Sequence, residues 1–264
     1  MIDEIKVSQL IIKSYAEKLQ RNLRTDVAIV GGGPAGLAAA YYLAKGGAKV
    51  AVFEKNLSFG GGMWGGGIMF NVIVLQERAK RVCKELGLRL ERKGSYYVAD
   101  AIESVGQLCV AASRAGASLF NLLSAEDVMI RDKRVVGLVL NWTAVEMAHL
   151  HVDPIAIRAK FVVDATGHDA NLIRCVEKKA DMPLLVGARL KPASAPSASV
   201  PGEQSLWAEK GERLVVENAR EVYPGVWVAG MAVNAVFRGP RMGPIFGGML
   251  LSGEKAARLL IEKL

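Results

Sequence analysis

Apolar and polar positions along this chain fall into two rhythms, one of short apolar runs and one of helical spacing. Residues 27–30 and 50–53 are uninterrupted apolar runs that read as strands. Between them, residues 37–45 carry a helical pattern. The first run leads into Gly31-Gly32-Gly33-Pro34-Ala35-Gly36, and the second ends in Glu54. The order is strand, glycine turn, helix, strand, acid. Before it, residues 8–19 place Leu10, Ile11, Tyr15 and Leu19 near helical spacing, which predicts an amphipathic helix. After it, residues 75–86 predict an amphipathic helix ended by Gly87 as a left-handed cap. A short strand is expected at 96–98. Asp100 and Glu103 form a capping box that opens a helix ending near Gly116. Strands are predicted at 118–122 and 128–131, with a hairpin turn at Asp132-Lys133 and a return strand at 135–140. Residues 158–163 and 226–229 read as further strands. A last helix opens at Gly243-Pro244 and turns Met249, Leu250, Ala256, Leu259 and Leu260 inward.

The glycine turn carries chemistry. Gly31 permits a tight turn, Gly33 lets a pyrophosphate approach the backbone, and Gly36 lets helix and strand pack closely. The helix that follows presents free N–H groups and a partial positive charge to the phosphates. Glu54 stands about where an acid takes ribose hydroxyls. A bound adenine dinucleotide is expected. The fold class is α/β: a Rossmann-like dinucleotide-binding fold of the flavin/glutathione-reductase type with an inserted antiparallel β-meander. One domain spans residues 1–264, with an N-terminal helical extension at about 1–24 and the inserted β segment at about 117–142.

Composition narrows the partners. The chain has 264 residues, is 51% hydrophobic and carries a net charge of +8. The basic residues are dispersed, with no Lys/Arg block interleaved with aromatics, so the charge is read as a solvated surface rather than a nucleic-acid face. No apolar run approaches the ~18 residues that span a bilayer. The N-terminus lacks a secretory pattern, so a cytoplasmic protein is expected. Cys83, Cys109 and Cys175 are widely spaced and read as buried thiols, not as a disulfide framework or zinc site.

Three further stretches suggest a site. Residues 60–67 hold six glycines in eight positions, yet Phe59, Met63, Trp64 and Met69 make this loop too apolar for a linker. It is expected to pack against a ligand. The only histidines are His149, His151 and His168. If residues 148–154 are extended, His149, His151 and Asp153 share one face. His168 follows the strand at 158–163, at the carboxyl edge where open α/β sheets bind ligands. Two imidazoles and a carboxylate suit a divalent transition metal such as iron, and equally suit acid–base work near neutral pH. Arg238 and Arg241 lie in a Gly/Pro-bound loop before a helix, a setting for a carboxylate or phosphate. A Pro-, Ser- and Ala-rich loop is expected at 191–202.

Five segments together resemble the thiamine thiazole synthases: DVAIVGGGPAGL, FEKNLSFGGGMWGGG, NWTAVEMAHLHVDP, DATGHD and VAGMAVNAVFRGPRMGPIFGGMLLSG. The resemblance runs from about residue 7 to the C-terminus. It implies a dinucleotide fold that consumes NAD as a substrate. NAD loses nicotinamide and the exposed ribose carbonyl isomerises to a ketone. Glycine condenses with it, sulfur is added, and cyclisation yields an ADP-linked thiazole carboxylate. The resemblance also implies Fe(2+) and a ring-shaped homo-oligomer, an octamer, with sites near subunit interfaces. By position, Ala35, Glu54, Lys55, Gly62, Val128, His151, Val152, Asp153 and Met231 would line the NAD-derived ligand. Asp153 and His168 match the iron ligands, Arg241 matches the holder of the glycine carboxylate, and His151 joins Asp153 and His168 as a candidate catalytic group. One branch of the family has a sacrificial cysteine where this chain has His151. The resemblance therefore points to the branch that takes free sulfide and turns over many times.

Three rival readings share parts of this pattern. A flavoprotein oxidoreductase shares the glycine fingerprint, but its last strand usually ends in Ala-Gly-Asp, and here Ala229-Gly230 is followed by Met231. A non-catalytic NAD or ADP-ribose binding protein would need neither metal ligands nor the Arg241 loop. A ribose-phosphate isomerase would share only the carbonyl shift.

Overall fold

The computed structural model describes residues 1–180, 184–185 and 200–264. The loop expected at 191–202 lies outside the described residues apart from its last three positions. The elements run α1 (Glu4–Arg21), β1 (Arg24–Val30), α2 (Pro34–Lys45), β2 (Val50–Phe53), β3 (Val72–Gln76), α3 (Lys80–Glu85), β4 (Glu91–Lys93), β5 (Tyr96–Asp100), α4 (Ala101–Arg114) and β6 (Ser118–Phe120). They continue with β7 (Leu123–Arg131), β8 (Arg134–Trp142), α5 (Thr143–Met147), β9 (Ile155–Asp164), α6 (Asn171–Lys179), α7 (Ala208–Glu217), β10 (Glu221–Tyr223), β11 (Val226–Val228), α8 (Met231–Phe237) and α9 (Gly247–Ile261).

Strands β10, β11, β9, β1, β2 and β6 lie side by side in that order. All neighbours from β11 to β6 pair in parallel, and β10 closes the edge antiparallel. The apolar runs explain this core. Because side chains alternate across a strand, a run with no polar position must be covered on both faces. Val27, Ile29, Val50 and Val52 join one cluster with Leu37, Leu43, Leu108 and Leu260 from α2, α4 and α9. Ala28, Val30, Ala51 and Phe53 join the other, with Leu138, Ile157, Val176 and Val228. Each fully buried Leu, Ile, Val or Phe contributes roughly 1.5–3 kcal/mol. Strand β9 pairs with β1 along one edge and divides its other edge: Ile155 to Arg158 pair antiparallel with β8, and Val162 to Asp164 pair parallel with β11. A separate antiparallel sheet has the order β3-β5-β4.

Several expected elements shift. Residues 75–86 do not form one helix. Leu75 belongs to β3, a short 3-10 turn covers Glu77–Ala79, and α3 is the helical remainder. Ile73 and Leu75 are both fully buried and pair across to Ala99 and Tyr97, so a period of two wins at that end. Gly87 is left-handed, with φ +83°, as its capping role requires. Strand β6 pairs parallel with β2, so it is the last strand of the parallel stack and not the first of the meander. The meander is β7, β8 and the first part of β9, entered at Leu122 with φ +57° and turned at Asp132 and Lys133, both left-handed. Helix α9 begins at Gly247, because Ile245 bridges to Val74 and the Phe246 N–H donates to the Val74 carbonyl. The capping box is half made. Asp100 accepts from the Glu103 N–H at 2.8 Å, but the Glu103 carboxylate turns to Arg89.

Helix α1 is longer than its apolar pattern, capped by Asp3, and buries none of its residues. It touches the body through Tyr15, whose ring meets Phe120 edge-on at 6.3 Å, and through Lys18, which donates to the Leu119 carbonyl at 2.5 Å. No described helix is long and apolar enough to cross a membrane.

Phe120 is 1% exposed and stacks on Phe53 with ring centroids 5.4 Å apart. Phe120→Ala is expected to cost about 3–5 kcal/mol of unfolding free energy in a denaturant titration. A loss below about 1 kcal/mol would mean the ring is not part of a close-packed core.

Candidate functional site

A cavity of about 660 Å³ opens at the carboxyl ends of β1, β2 and β9, where these strands pass into loops. The turn after β1 forms one wall. Gly31 has φ +98°, and a Cβ there would lie 2.4 Å from the Ala165 carbonyl oxygen, so only glycine lets the two loops touch. Gly33 is different: a Cβ there would meet nothing within 4 Å. It caps the N-terminus of α2 without a side chain and faces the cavity, so the backbone donors at that end lie open. Glu54, 5% exposed, is held before any ligand arrives. It accepts from the Gly32 N–H at 2.8 Å, the Asn56 N–H at 2.8 Å and the Asn56 amide at 2.7 Å.

The second wall is the loop after β9. Asp164 is fully buried at the strand end. It accepts from the Thr166 N–H and hydroxyl at 2.8 and 2.7 Å and from the Ile173 N–H at 2.9 Å. Burial pushes its carboxyl above the ordinary carboxylate range, against the pull of those donors. The clamp ties the 3-10 turn Gly167–Asp169 and the start of α6 to the strand end, which carries His168 into the cavity lining. His168 Nδ1 lies 2.6 Å from Glu203 Oε2. That hydrogen bond raises the imidazole above its ordinary value, while partial burial and the nearby Arg241 charge oppose the rise.

The third wall is the loop after α8. Arg238 ends that helix in a left-handed conformation, φ +56°. Asn234 is fully buried; its side-chain amide donates to the Gly211 and Pro240 carbonyls, and its backbone carbonyl accepts from the Gly239 N–H. The Arg241 backbone is further fixed: its N–H donates to the Gln204 carbonyl at 3.2 Å, and its carbonyl accepts from the Trp207 N–H at 3.1 Å. The Arg241 side chain lines the cavity and makes no hydrogen bond or ion pair among the described residues. A guanidinium with no partner among the described residues, on a fixed backbone, has the chemistry to receive a carboxylate.

The sequence model of the Thi4 family matches residues 8–246. The chain belongs to the Thi4 family. It is 53% identical over 264 residues to a thiamine thiazole synthase of Methanothermobacter thermautotrophicus, covering 100% of this chain and 99% of that protein. It is 51% identical over 265 residues to a thiamine thiazole synthase of Pyrococcus abyssi, with the same coverage. The crystal structure of Thermovibrio ammonificans THI4 superposes with a TM-score of 0.92 at 48% identity, over 99% of this chain and 98% of that one. A geranylgeranyl bacteriochlorophyll reductase-like protein of Thermoplasma acidophilum matches at a TM-score of 0.53 and 16% identity, over 90% of this chain and 78% of that one, and shares the fold alone.

Of the positions that the Thi4 resemblance singles out, the cavity brings together Ala35, Glu54, Lys55, Gly62, Met231, His168 and Arg241. Met231, at the position of the flavin-type aspartate, is 6% exposed and offers no carboxylate. Four positions are not among the cavity's lining residues. Val128 is 7% exposed and packs in the cluster beneath the sheet. His151, Val152 and Asp153 are exposed on the connection from α5 to β9. That connection is not the extended segment expected. His149 is left-handed, φ +52°, and its N–H donates to the Glu146 carbonyl, so it finishes the turn after α5 and shares no strand face with His151 and Asp153. Among the described residues of one chain, no three His, Cys, Asp or Glu side chains form a metal-sized group. Sequence reasoning missed Asn56, Thr166, Glu203 and Asn234. Asn56 could have been suspected from its place two residues after Glu54, but Glu203 lies 35 residues from His168 with no spacing signal.

The contrast between two glycines is testable. Gly33→Ala should leave the melting temperature unchanged and weaken ADP binding by about tenfold or more, roughly 1.4 kcal/mol by isothermal titration. Gly31→Ala should lower the melting temperature, because its added Cβ has neither the backbone angle nor the space. Equal ADP affinity in wild type and Gly33→Ala would remove the phosphate role expected of the turn.

Proposed function

We propose that this chain converts NAD, glycine and sulfide into an ADP-linked 4-methyl-5-ethylthiazole-2-carboxylate with release of nicotinamide, using Fe(2+) and turning over many times. The observation that carries this reading is one cavity in which an open glycine turn, the braced Glu54 carboxyl, the His168 imidazole and the Arg241 guanidinium, unpaired among the described residues, face a shared space. Backbone N–H groups at the start of α2 would hold the pyrophosphate, and Glu54 the ribose hydroxyls. Arg241 would take the glycine carboxylate as a two-pronged donor and hold its amine near the ribose-derived carbonyl. Lys55 and Gly62 would close the rim over the ligand.

His168 suits a metal-ligand role, because its Nδ1 is already engaged and its other ring nitrogen remains to coordinate. In our reading Asp153 joins it from a neighbouring copy in a ring-shaped octamer. Met147, Leu150 and Val152, beside His151 and Asp153, are 77%, 59% and 50% exposed, a surface suited to burial against another subunit. Fe(2+) bound there would supply Lewis-acid polarisation and a docking point for sulfide. His151 carries no sulfur to surrender, and the three thiols are poor substitutes. Burial pushes Cys83 up to about 12 and Cys175 up to about 11, and raises Cys109 as well; none is among the cavity's lining residues.

Anaerobic incubation with NAD, glycine, sulfide and Fe(2+), followed by mass spectrometry, should show several equivalents of ADP-thiazole per chain. A ceiling of one equivalent would defeat the sulfide reading, and flavin absorbance in the purified protein would defeat the whole assignment. Asp153→Ala and His168→Ala should each lose about a hundredfold in rate or more. Co-assembling the two inactive variants should restore part of the activity, because some interfaces then carry both intact residues. Undiminished turnover in either variant would remove the metal role.

A further inference from the structure

We propose that Glu203 is a positioning residue for His168: its carboxylate holds the imidazole with Nδ1 protonated and Nε2 presented to the cavity, and its segment ties that ring to the Arg241 loop. The first part follows from donor and acceptor chemistry. An ionised carboxylate only accepts, so the 2.6 Å contact from Glu203 Oε2 assigns the proton of the neutral ring to Nδ1. Nε2 then keeps its lone pair, although a neutral histidine free in water favours the opposite tautomer.

Burial supports a role behind the ring and not on the ligand. The Glu203 side chain is 9% exposed against 56% for His168, and Glu203 is absent from the residues described as lining the cavity. Its second oxygen, Oε1, is buried without a hydrogen-bond partner among the described residues. A buried carboxylate that is half unsatisfied is costly, and a smaller apolar side chain would avoid that cost. Fold stability alone therefore gives a poor reason for an acid at this position.

The second part follows from the backbone. The Gln204 N–H donates to the Gly239 carbonyl at 2.9 Å, and the Gln204 carbonyl accepts from the Arg241 N–H at 3.2 Å. Trp207 then donates to the Arg241 carbonyl. Residues 203–207 thus grip His168 by a side chain and the arginine loop by the main chain. A shift of one is transmitted to the other, which fixes the spacing of two groups that come from different crossovers of the sheet.

What His168 coordinates rests on the function proposed above; its tautomer does not. The test uses the full-length protein with ¹⁵N-labelled histidine, free of metal and substrate, at a pH well above the ordinary imidazole value. Only three histidines contribute signals, and His168→Asn assigns one of them. Wild type should show His168 as the Nδ1–H tautomer, and a wild-type Nε2–H signal would overturn the proposal before any variant is made. Glu203→Ala should move the ring to an averaged or reversed tautomer. Glu203→Gln, whose amide oxygen still accepts, should retain Nδ1–H. An unmoved ring signal in a folded Glu203→Ala would overturn the proposal. Titration with Co(2+) should show about 10- to 100-fold weaker binding in Glu203→Ala, partly recovered in Glu203→Gln. Equal Co(2+) affinity in all three proteins would likewise overturn it. A correct wild-type tautomer together with no thiazole product would defeat the proposed reaction and leave this assignment standing.

Discussion

The shared direction of β1, β2, β9 and β11 governs everything built at the cavity. Val30 is registered against both Phe53 and Asp164, and Asp164 against Val228, so four strands end within one rung of each other. A parallel ladder leaves no freedom to slip while both faces are buried, since a one-residue shift would invert every side chain. The loops that follow these strands therefore leave from one edge. The glycine turn, Glu54, the turn after Asp164 and the start of α8 are neighbours because of hydrogen-bond register, not because of any contact between their side chains.

The parts legible in sequence were those whose signal is local. The glycine turn between two apolar runs fixed a strand–turn–helix–strand unit whose second strand has the expected bounds. The Asp132-Lys133 turn and the Gly87 cap were readable because backbone angle preferences are properties of one or two residues. Elements decided by partners carry no such local signal. Leu75 and Gln76 look like the start of the helix that follows them, and only pairing with β5 shows that they end a strand. Strand β6 looks like the start of a meander until its parallel partner is known.

The site divides along the same line. Ala35, Glu54, Lys55 and Gly62 belong to the local unit and meet in the cavity. His168 and Arg241 stand out by position, at a strand edge and in a Gly/Pro loop, and they also line it. Glu203 and Asn234 act across 35 and 23 residues, a separation at which sequence carries no spacing rule. Residues 151–153 stand apart from the other positions that the family points to. Geometry within a single chain has no place for them at the cavity, and the exposed apolar side chains beside them are the physical reason to look to another copy.

Glu54 carries a consequence for selectivity. Its carboxylate is sunk at the strand end and braced on both oxygens by Gly32 and Asn56, so it can neither swing away nor be readily solvated. A ribose hydroxyl can share such an oxygen as one more donor. A phosphate ester at the same carbon would bring like charge against a group with no room to retreat, at low local dielectric. On the proposed reading, Glu54 would therefore favour nucleotides with an unmodified adenosine ribose, by bracing and burial and not by any residue that touches the phosphate.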